Sequence, residues 1–252
     1  MNKILLFSLC IIPSLILMWY VYIKDKVEKE PWYLLALLFT GGIMAANISL
    51  LISLILKRYL VFLNTSFESL SLLEIIFKYL IAIALVEEGS KWLINYITIW
   101  SNKNFKHMYD PIVYSVFVAL GFAAYENIVY VLAYQSNGTL AIVMRSLISV
   151  PTHAVLGIFM GYYLSLAKNA LMFHKYKAVT KYKILSLLVP ILLHFLYDIL
   201  LINKSALGQV SFNVYLVICF IIAYLKLEKL AAINTNLKEK NISKKWYIFI
   251  WR

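Results

Sequence analysis

The chain has 252 residues, of which 63% are hydrophobic and only 14% are charged, and its mean hydropathy is +0.80. Soluble domains are nearer half apolar and a quarter charged, so this composition excludes a soluble globular protein and predicts an integral membrane protein. The formal net charge is +12, but the basic residues alternate from loop to loop between apolar runs. That distribution is typical of membrane topology, and we expect no nucleic-acid partner.

Seven apolar runs are long enough to cross a bilayer as helices, which takes about 20 residues each. They cover residues 4–23, 33–56, 70–100, 112–134, 140–167, 184–203 and 210–230. No small-residue cleavage site follows the first run, so we interpret that run as a retained anchor and not as a signal peptide. The pattern predicts an all-α fold, a polytopic membrane helix bundle of about seven transmembrane helices.

The Lys and Arg residues predict how the chain lies in the membrane. Seventeen of them fall in the segments 24–31, 101–111, 168–183 and 226–252, and four fall in the N-terminus and the segments 57–69, 135–139 and 201–209. The positive-inside rule puts the richer set in the cytoplasm, which predicts an external N-terminus and a cytoplasmic C-terminus. The basic, aromatic-rich tail after Lys226 is either an interfacial helix on the lipid bilayer or a solvated segment.

Ionisable residues interrupt four consecutive spans, where each charge costs roughly 3 kcal/mol even on lenient insertion scales. In the third span, Lys91 is four residues from Glu87 and three from Glu88, so both pairs can meet on one helix face. One lysine neutralises one carboxylate, so a surplus carboxylate remains. The later spans contribute Glu126, then Arg145 and His153, then His194 and Asp198.

The ionisable residues of the four spans share a common depth in the membrane. Glu87, Glu126, His153 and His194 each lie within about one helical turn of the midpoint of their span. Because charged groups in lipid face a bundle interior or a water-filled cavity, we predict one shared polar chamber formed by four helices. Gly157 and Gly161 are spaced for a close helix–helix approach beside it, and Asp110 with Pro111 is predicted to cap the fourth span.

Each polar group also fits a structural role when it is taken alone. Lys91 can form a structural ion pair with one glutamate, His153 can form a packing hydrogen bond, and Asp198 can orient His194. The two cysteines, Cys10 and Cys219, fall within predicted spans and indicate neither a disulfide framework nor a zinc knuckle.

A carboxylate and imidazoles beside water are suited to general-base activation of that water. Histidines and a carboxylate can instead bind Zn²⁺ through three protein ligands with one open position. If a metal is used, the candidate ligands are His153, His194 and Glu126. A metal-free mechanism, in which histidines stabilise the oxyanion, is the alternative.

The ordered motifs resemble a known family. Glu-Glu-x-x-Lys (Glu87, Glu88, Lys91) is followed by Phe-x-x-x-Glu ending at Glu126, by a mid-span His153, and by His-x-x-x-Asp (His194, Asp198). This set is similar to the PrsW family of bacterial intramembrane proteases, within the superfamily of type II CAAX prenyl endopeptidases. The prenyl endopeptidases usually have Phe-x-x-x-His where this chain has Glu126, so His153 is a candidate for the assisting imidazole.

The resemblance implies a multi-pass protease of the bacterial cell membrane. It implies site-1 cleavage of a single-span, anti-sigma-factor-like substrate on the outer side. By similarity, Glu87 would be the base, and His194 and Asp198 would hold the oxyanion or a metal. Lys91 and Glu88 would fix the helix and set the pKa of the base. We expect residues 1–69 to form two N-terminal spans, 70–203 a catalytic four-helix core, and 204–252 the last span and cytoplasmic tail.

Three other functions remain open at this point. A proton- or ion-coupled transporter would use the same carboxylates and histidines as a relay, although no inverted repeat is evident. A CAAX-type prenyl-protein endopeptidase would share the superfamily's chemistry. A non-enzymatic scaffold would be expected to have lost one of the motifs, and all four are present.

Overall fold

The computed structural model describes residues 3–133 and 139–239, and within these ranges the chain is helical with no β-strand. The helices are α1 (Lys3–Lys24), α2 (Trp32–Tyr59), α3 (Leu72–Ile76), a π-helical segment (Phe77–Leu85), α4 (Val86–Ile99), α5 (Asp110–Ala133), α6 (Thr139–Met172), α7 (Tyr176–Ile202) and α8 (Ala206–Glu239). Two short 3₁₀ turns, Val61–Asn64 and Phe67–Ser69, join α2 to α3.

The prediction of an all-α polytopic membrane bundle is confirmed. Each of the seven apolar runs coincides with helical structure, and α2, α5, α6, α7 and α8 are each long and apolar enough to cross a membrane. Helices α6 and α8 continue about one turn or more beyond the predicted spans, to Met172 and Glu239. The aromatic end of the predicted basic tail, residues 240–252, lies outside the described residues.

The third predicted span is three consecutive helical segments. Its start is defined by a capping box, in which the Ser71 hydroxyl accepts the backbone N–H of Glu74 and the Glu74 carboxylate accepts that of Ser71. The nine-residue π segment follows, and α4 then begins with Glu87 and Glu88 in its first turn. π-helical turns are rare and frequently adjoin functional sites, and this one ends directly before the two glutamates.

Helix α5 lies at the centre of the bundle. Every residue from Asp110 to Ala124 is buried, and the helix contacts α1, α2, α4 and α6. A helix that is apolar on all sides can be buried in this way without leaving polar surface unsolvated. Glu126 follows this fully buried stretch, so its carboxylate lies in the part of the bundle where α6 and α7 meet.

The start of α5 differs from the sequence prediction. The expectation that Asp110 caps this helix is wrong by one residue, because the first helical N–H, that of Ile112, bonds to the carbonyl of Tyr109. The Asp110 carboxylate turns back to the preceding loop, where its Oδ2 accepts the N–H groups of Lys106 and His107 at 2.8 and 2.7 Å.

The close approach predicted at Gly157 and Gly161 is confirmed, and the neighbour is α5. A Cβ added at Gly161 would lie 2.4 Å from the carbonyl oxygen of Pro111 and 2.6 Å from the Cα of Ile112. At Gly157 the corresponding distance to the carbonyl oxygen of Ser115 is 3.0 Å. The two backbones are therefore in contact one turn after His153, which holds that histidine near α5.

Replacing Gly161 by alanine should destabilise the protein, because the new methyl group meets backbone atoms that cannot move aside. We expect a loss of about 1–3 kcal/mol, measured as a lower unfolding midpoint in detergent. Gly89→Ala is the matched control, since a Cβ there meets nothing within 4 Å and alanine has the higher helix propensity. Equal midpoints for the two variants would contradict the close contact.

Candidate active site

A single buried lysine connects the polar residues of three helices. The Lys91 side chain in α4 is 1% exposed, and its Nζ lies 2.7 Å from Oε1 of Glu88 and 3.7 Å from Oε2 of Glu87. The same Nζ lies 3.1 Å from Nδ1 of His153 in α6 and 3.8 Å from the centre of the Phe122 ring in α5. The ammonium therefore has a carboxylate, an imidazole and an aromatic face as partners.

The lysine determines which nitrogen of His153 carries the proton. An ammonium group only donates, so Nδ1 of His153 accepts its hydrogen bond and Nε2 must be the protonated nitrogen. Nε2 then donates to Oε2 of Glu126 at 3.0 Å, and the other oxygen of Glu126 pairs with Arg145 at 2.7 Å. Both oxygens of Glu126 are consequently engaged.

His194 is held by one carboxylate and faces two others. Its Nδ1 lies 2.9 Å from Oε1 of Glu88, and since a carboxylate only accepts, Nδ1 donates. Its Nε2 lies 3.9 Å from Oε2 of Glu87 and 3.8 Å from Oδ2 of Asp198. Among the described residues, these two oxygens are buried without a hydrogen-bond partner. Glu87 is thus the surplus carboxylate, and Glu88 is the paired one.

A cavity of 480 Å³ is lined by five of the polar residues, Glu87, Glu126, His153, His194 and Asp198. The Glu87 and Asp198 side chains are 18% and 16% exposed, whereas Glu88 is 1% exposed. Small molecules entering the cavity can therefore reach Glu87 and Asp198 but not Glu88. At its other end the cavity is lined by Lys57, Lys78 and Ile202, where α2 and α7 finish and the π segment starts.

All seven candidate site residues lie in one connected cluster around this cavity. Glu87, Glu88 and Lys91 come from α4, Glu126 from α5, His153 from α6, and His194 and Asp198 from α7. Glu87 points into the cavity within 4 Å of His194 and not into hydrocarbon. The catalytic roles of these residues stay predictions.

Sequence patterns assigned no role to Arg145 or to Lys57 and Lys78 on the cavity wall. Arg145 neutralises Glu126, and a signal for this was available. An arginine inside a span needs a carboxylate partner, and Glu126 in the preceding span had none. No comparable signal identifies Lys57 and Lys78, which reach the wall only because α2 and the π segment lie side by side there.

The donor atoms around His194 fit a metal ion. Glu87, Glu88 and His194 each offer a ligand atom within 4.8 Å of the others. Glu88 Oε1 is already shared by Lys91 and His194. Oε2 of Glu87 and Oδ2 of Asp198 have no hydrogen bond among the described residues and lie 3.9 and 3.8 Å from Nε2 of His194. One imidazole and two carboxylates with an open fourth position suit zinc, and a ligating histidine usually donates its other N–H to a carboxylate.

The net charge of the cluster also favours a bound metal ion. Four carboxylates in the cluster face the permanent cations Lys91 and Arg145, which leaves two negative charges when the imidazoles are neutral. A divalent ion would neutralise them. This donor set shares only His194 with the ligands expected from the sequence, because both ring nitrogens of His153 and both oxygens of Glu126 already have partners.

Comparisons with known proteins point to one family. Residues 30–225 match the family described as PrsW family intramembrane metalloprotease. A Protease PrsW of Clostridioides difficile (strain 630) is 36% identical over 228 residues, which covers 90% of this chain and 92% of the relative. A Protease PrsW of Bacillus subtilis (strain 168) is 33% identical over 195 residues, covering 77% and 82%. No solved structure matches the chain.

Replacing Lys91 by methionine should strongly destabilise the protein. The change keeps the length of the side chain but leaves the 1%-exposed Glu88 carboxylate without its cation. Breaking a buried pair on one side costs about 3–5 kcal/mol, to be measured as the shift in unfolding midpoint in detergent. Lys78→Met is the matched control, because Lys78 is half-buried and its ammonium bonds only a backbone carbonyl, that of Thr65. Similar losses in both variants would refute the role given to Lys91.

Proposed function

We propose, since this chain belongs to the PrsW family of intramembrane metalloproteases, that it hydrolyses a peptide bond of a single-span membrane protein with Glu87 as the proton acceptor. The observation that carries this proposal is the Oε2 of Glu87, which has no hydrogen bond among the described residues and lies 3.9 Å from Nε2 of His194 on the cavity wall. A base must be within reach of water and must not be neutralised by a permanent partner. Among the four carboxylates of the cluster, Glu87 and Asp198 meet both conditions.

The surroundings of Glu87 suit a general base better than those of Asp198. Its helix also carries Lys91, whose ammonium lies 3.7 Å away and limits how far burial can favour the protonated carboxyl. In the proposed reaction Glu87 takes a proton from water as the oxygen attacks the scissile carbonyl carbon. The same proton then goes to the amide nitrogen, which leaves as an amine when the C–N bond breaks.

His194 and Asp198 are proposed to act on the opposite side of the carbonyl. The Glu88 carboxylate holds Nδ1 of His194 and so turns Nε2 towards the cavity. When Nε2 is protonated, it donates to the oxyanion, and Asp198 at 3.8 Å favours that charge. Glu126 and His153 are proposed as positioning residues, because their hydrogen bond ties α5 to α6 beside Lys91.

In an alternative arrangement the same residues would bind a metal ion, and Glu87 would then be a ligand and not the free base. Glu87, His194 and Asp198 would hold a zinc ion, which supplies Lewis acidity towards water and the scissile carbonyl. Glu88 would then keep the proton on Nδ1 of His194 and leave the lone pair of Nε2 for the ion.

The cavity indicates from which side the substrate is reached. Its outer lining, Lys57, Lys78 and Ile202, lies at the end of the bundle that the Lys and Arg distribution places outside the cell. We therefore propose an external N-terminus, a cytoplasmic C-terminus and cleavage near the outer face, as expected for site-1 cleavage of an anti-sigma factor. The catalytic unit proposed is 70–203, with one wall of the cavity supplied by Ala46 and Ser49 of α2.

Glu87→Gln should abolish cleavage while the protein still folds, because glutamine has nearly the same shape but cannot accept the proton. General-base catalysis contributes about 10²–10⁴-fold, and a loss in this range is expected. The measurement is mass spectrometry of membrane fractions from cells that lack the native gene and carry either form. A truncated single-span protein should be present only with the unsubstituted enzyme.

Glu68→Gln is the control for this experiment, since Glu68 is exposed on a 3₁₀ turn and is not part of the cavity wall. It should give the same truncated product as the unsubstituted protein. If Glu87→Gln produces that fragment at an undiminished rate, Glu87 is not the base.

Zinc binding is tested separately on the purified protein by elemental analysis. We expect about one zinc per chain, lost in His194→Ala and retained in His153→Ala, because only His194 has an unengaged ring nitrogen that faces unpartnered carboxylates. Loss in both His194→Ala and His153→Ala would instead favour the donor set His153, His194 and Glu126. Full activity of protein stripped of metal would leave the Glu87 mechanism without zinc.

A further inference from the structure

A second cluster of buried carboxylates lies at the other end of the bundle. Asp25 follows α1, Glu30 precedes α2 and Asp110 begins α5, so two loops and three helix ends meet there. One carboxylate oxygen from each residue lies within 4.8 Å of the other two. The three residues are 3%, 6% and 0% exposed, which is far more buried than acidic side chains outside an active site usually are.

Two buried oxygens in this cluster have no hydrogen bond among the described residues. Oδ1 of Asp25 accepts the N–H of Val27 at 3.1 Å, but its Oδ2 is buried without a hydrogen bond in the described part of the chain. Oδ1 of Asp110 is likewise buried and unbonded, and the nearest cation, Nδ1 of His107, is 3.6 Å away. A buried carboxylate oxygen without a hydrogen bond is unfavourable, so an arrangement with two of them indicates a missing partner.

Two lysines of the same loops do not supply that partner. Lys29 donates to the backbone carbonyls of Tyr22 and Asp25, and Lys106 pairs with Glu28. Neither of these two ammonium groups therefore forms an ion pair with a carboxylate of the cluster.

We propose that Asp25, Glu30 and Asp110 bind one hard divalent cation of the Ca²⁺ or Mg²⁺ class. Such ions take oxygen ligands and carboxylates above all. Three atoms that lie within 4.8 Å of one another can all be reached from a central point no more than about 2.8 Å away, close to the 2.3–2.6 Å of Ca²⁺–oxygen bonds. Mg²⁺, with bonds of about 2.1 Å, would need a small contraction or a bridging water.

This cation site is distinct from the catalytic cluster. Asp110 and Glu126 are 16 residues apart on α5, which is a rise of about 24 Å along the helix, so the cation lies about that far from Glu126. Its effect would be structural: it clamps the α1–α2 loop onto the first turn of the central helix that carries Glu126. The loops involved are those that the Lys and Arg distribution places in the cytoplasm, where Mg²⁺ is the available ion.

The test uses the full-length protein in detergent, first treated with EDTA and then dialysed into metal-free buffer. Addition of 1 mM CaCl₂ or MgCl₂ should raise the unfolding midpoint by about 5 °C if the ion binds the folded state at concentrations well above its dissociation constant. The same shift should appear in Glu87→Gln, since the catalytic cluster is not involved. Equilibrium dialysis with ⁴⁵Ca²⁺ or Mn²⁺ should give one bound ion per chain.

Asp25→Asn and Glu30→Gln should each reduce the shift at least fivefold and lower the affinity at least tenfold. Glu28→Gln is the matched control, because Glu28 lies in the same loop but is half-exposed and pairs with Lys106, and it should respond fully. If one cluster variant does not fold, the dialysis measurement on the other decides.

Two results would overturn the proposal. One is an equal response of Glu30→Gln, Glu28→Gln and the unsubstituted protein. The other is no response to either cation, with Asp25→Asn and Glu30→Gln more stable than the unsubstituted protein at pH 7, which would show that the carboxyls share protons instead.

Discussion

The geometry of the cavity depends on one ammonium group held in a medium that cannot solvate it. Lys91 is 1% exposed and its charge must be met by protein atoms, so it binds Glu88 on its own helix and His153 on α6. These two contacts determine how the neighbouring polar side chains are paired. Glu88 becomes a structural partner that also orients His194, and His153 is left with its proton on Nε2. Glu87 keeps an oxygen without a hydrogen bond among the described residues.

The same constraint explains why the polar residues come from four helices. A charged side chain in a bilayer must be paired within the bundle or reach water, and a single helix offers few partners at one depth. Helices α5 and α6 can supply Glu126, Arg145 and His153 at the level of Lys91 because their backbones touch at Gly157 and Gly161. Close packing of the backbone is thus a condition for the chemistry proposed at the cavity.

The two carboxylate clusters differ in the side chains that surround their buried negative charge. Around the cavity, Lys91 and Arg145 balance two of four carboxylates and leave a deficit of positive charge beside His194. At the other end of α5, Lys29 and Lys106 bond to other groups, so neither lysine balances the three carboxylates there. A small cation fits both places, but the donor chemistry differs: imidazole with carboxylates suits zinc, whereas three carboxylates suit a hard ion.

The sequence by itself determined the spans, the fold class and the list of candidate residues, because the two signals behind them, apolar runs and charges within those runs, are local. Apolar runs report burial in lipid, and a charge inside such a run is conspicuous whatever its surroundings. It could not decide whether Lys91 pairs with Glu87 or Glu88, since the two spacings are both compatible with a helix. It also missed the meeting of Asp25 and Glu30 with Asp110 and misplaced the role of Asp110 at its helix start. Those features depend on how each helix is rotated and where distant loops meet, and only the tertiary structure sets these.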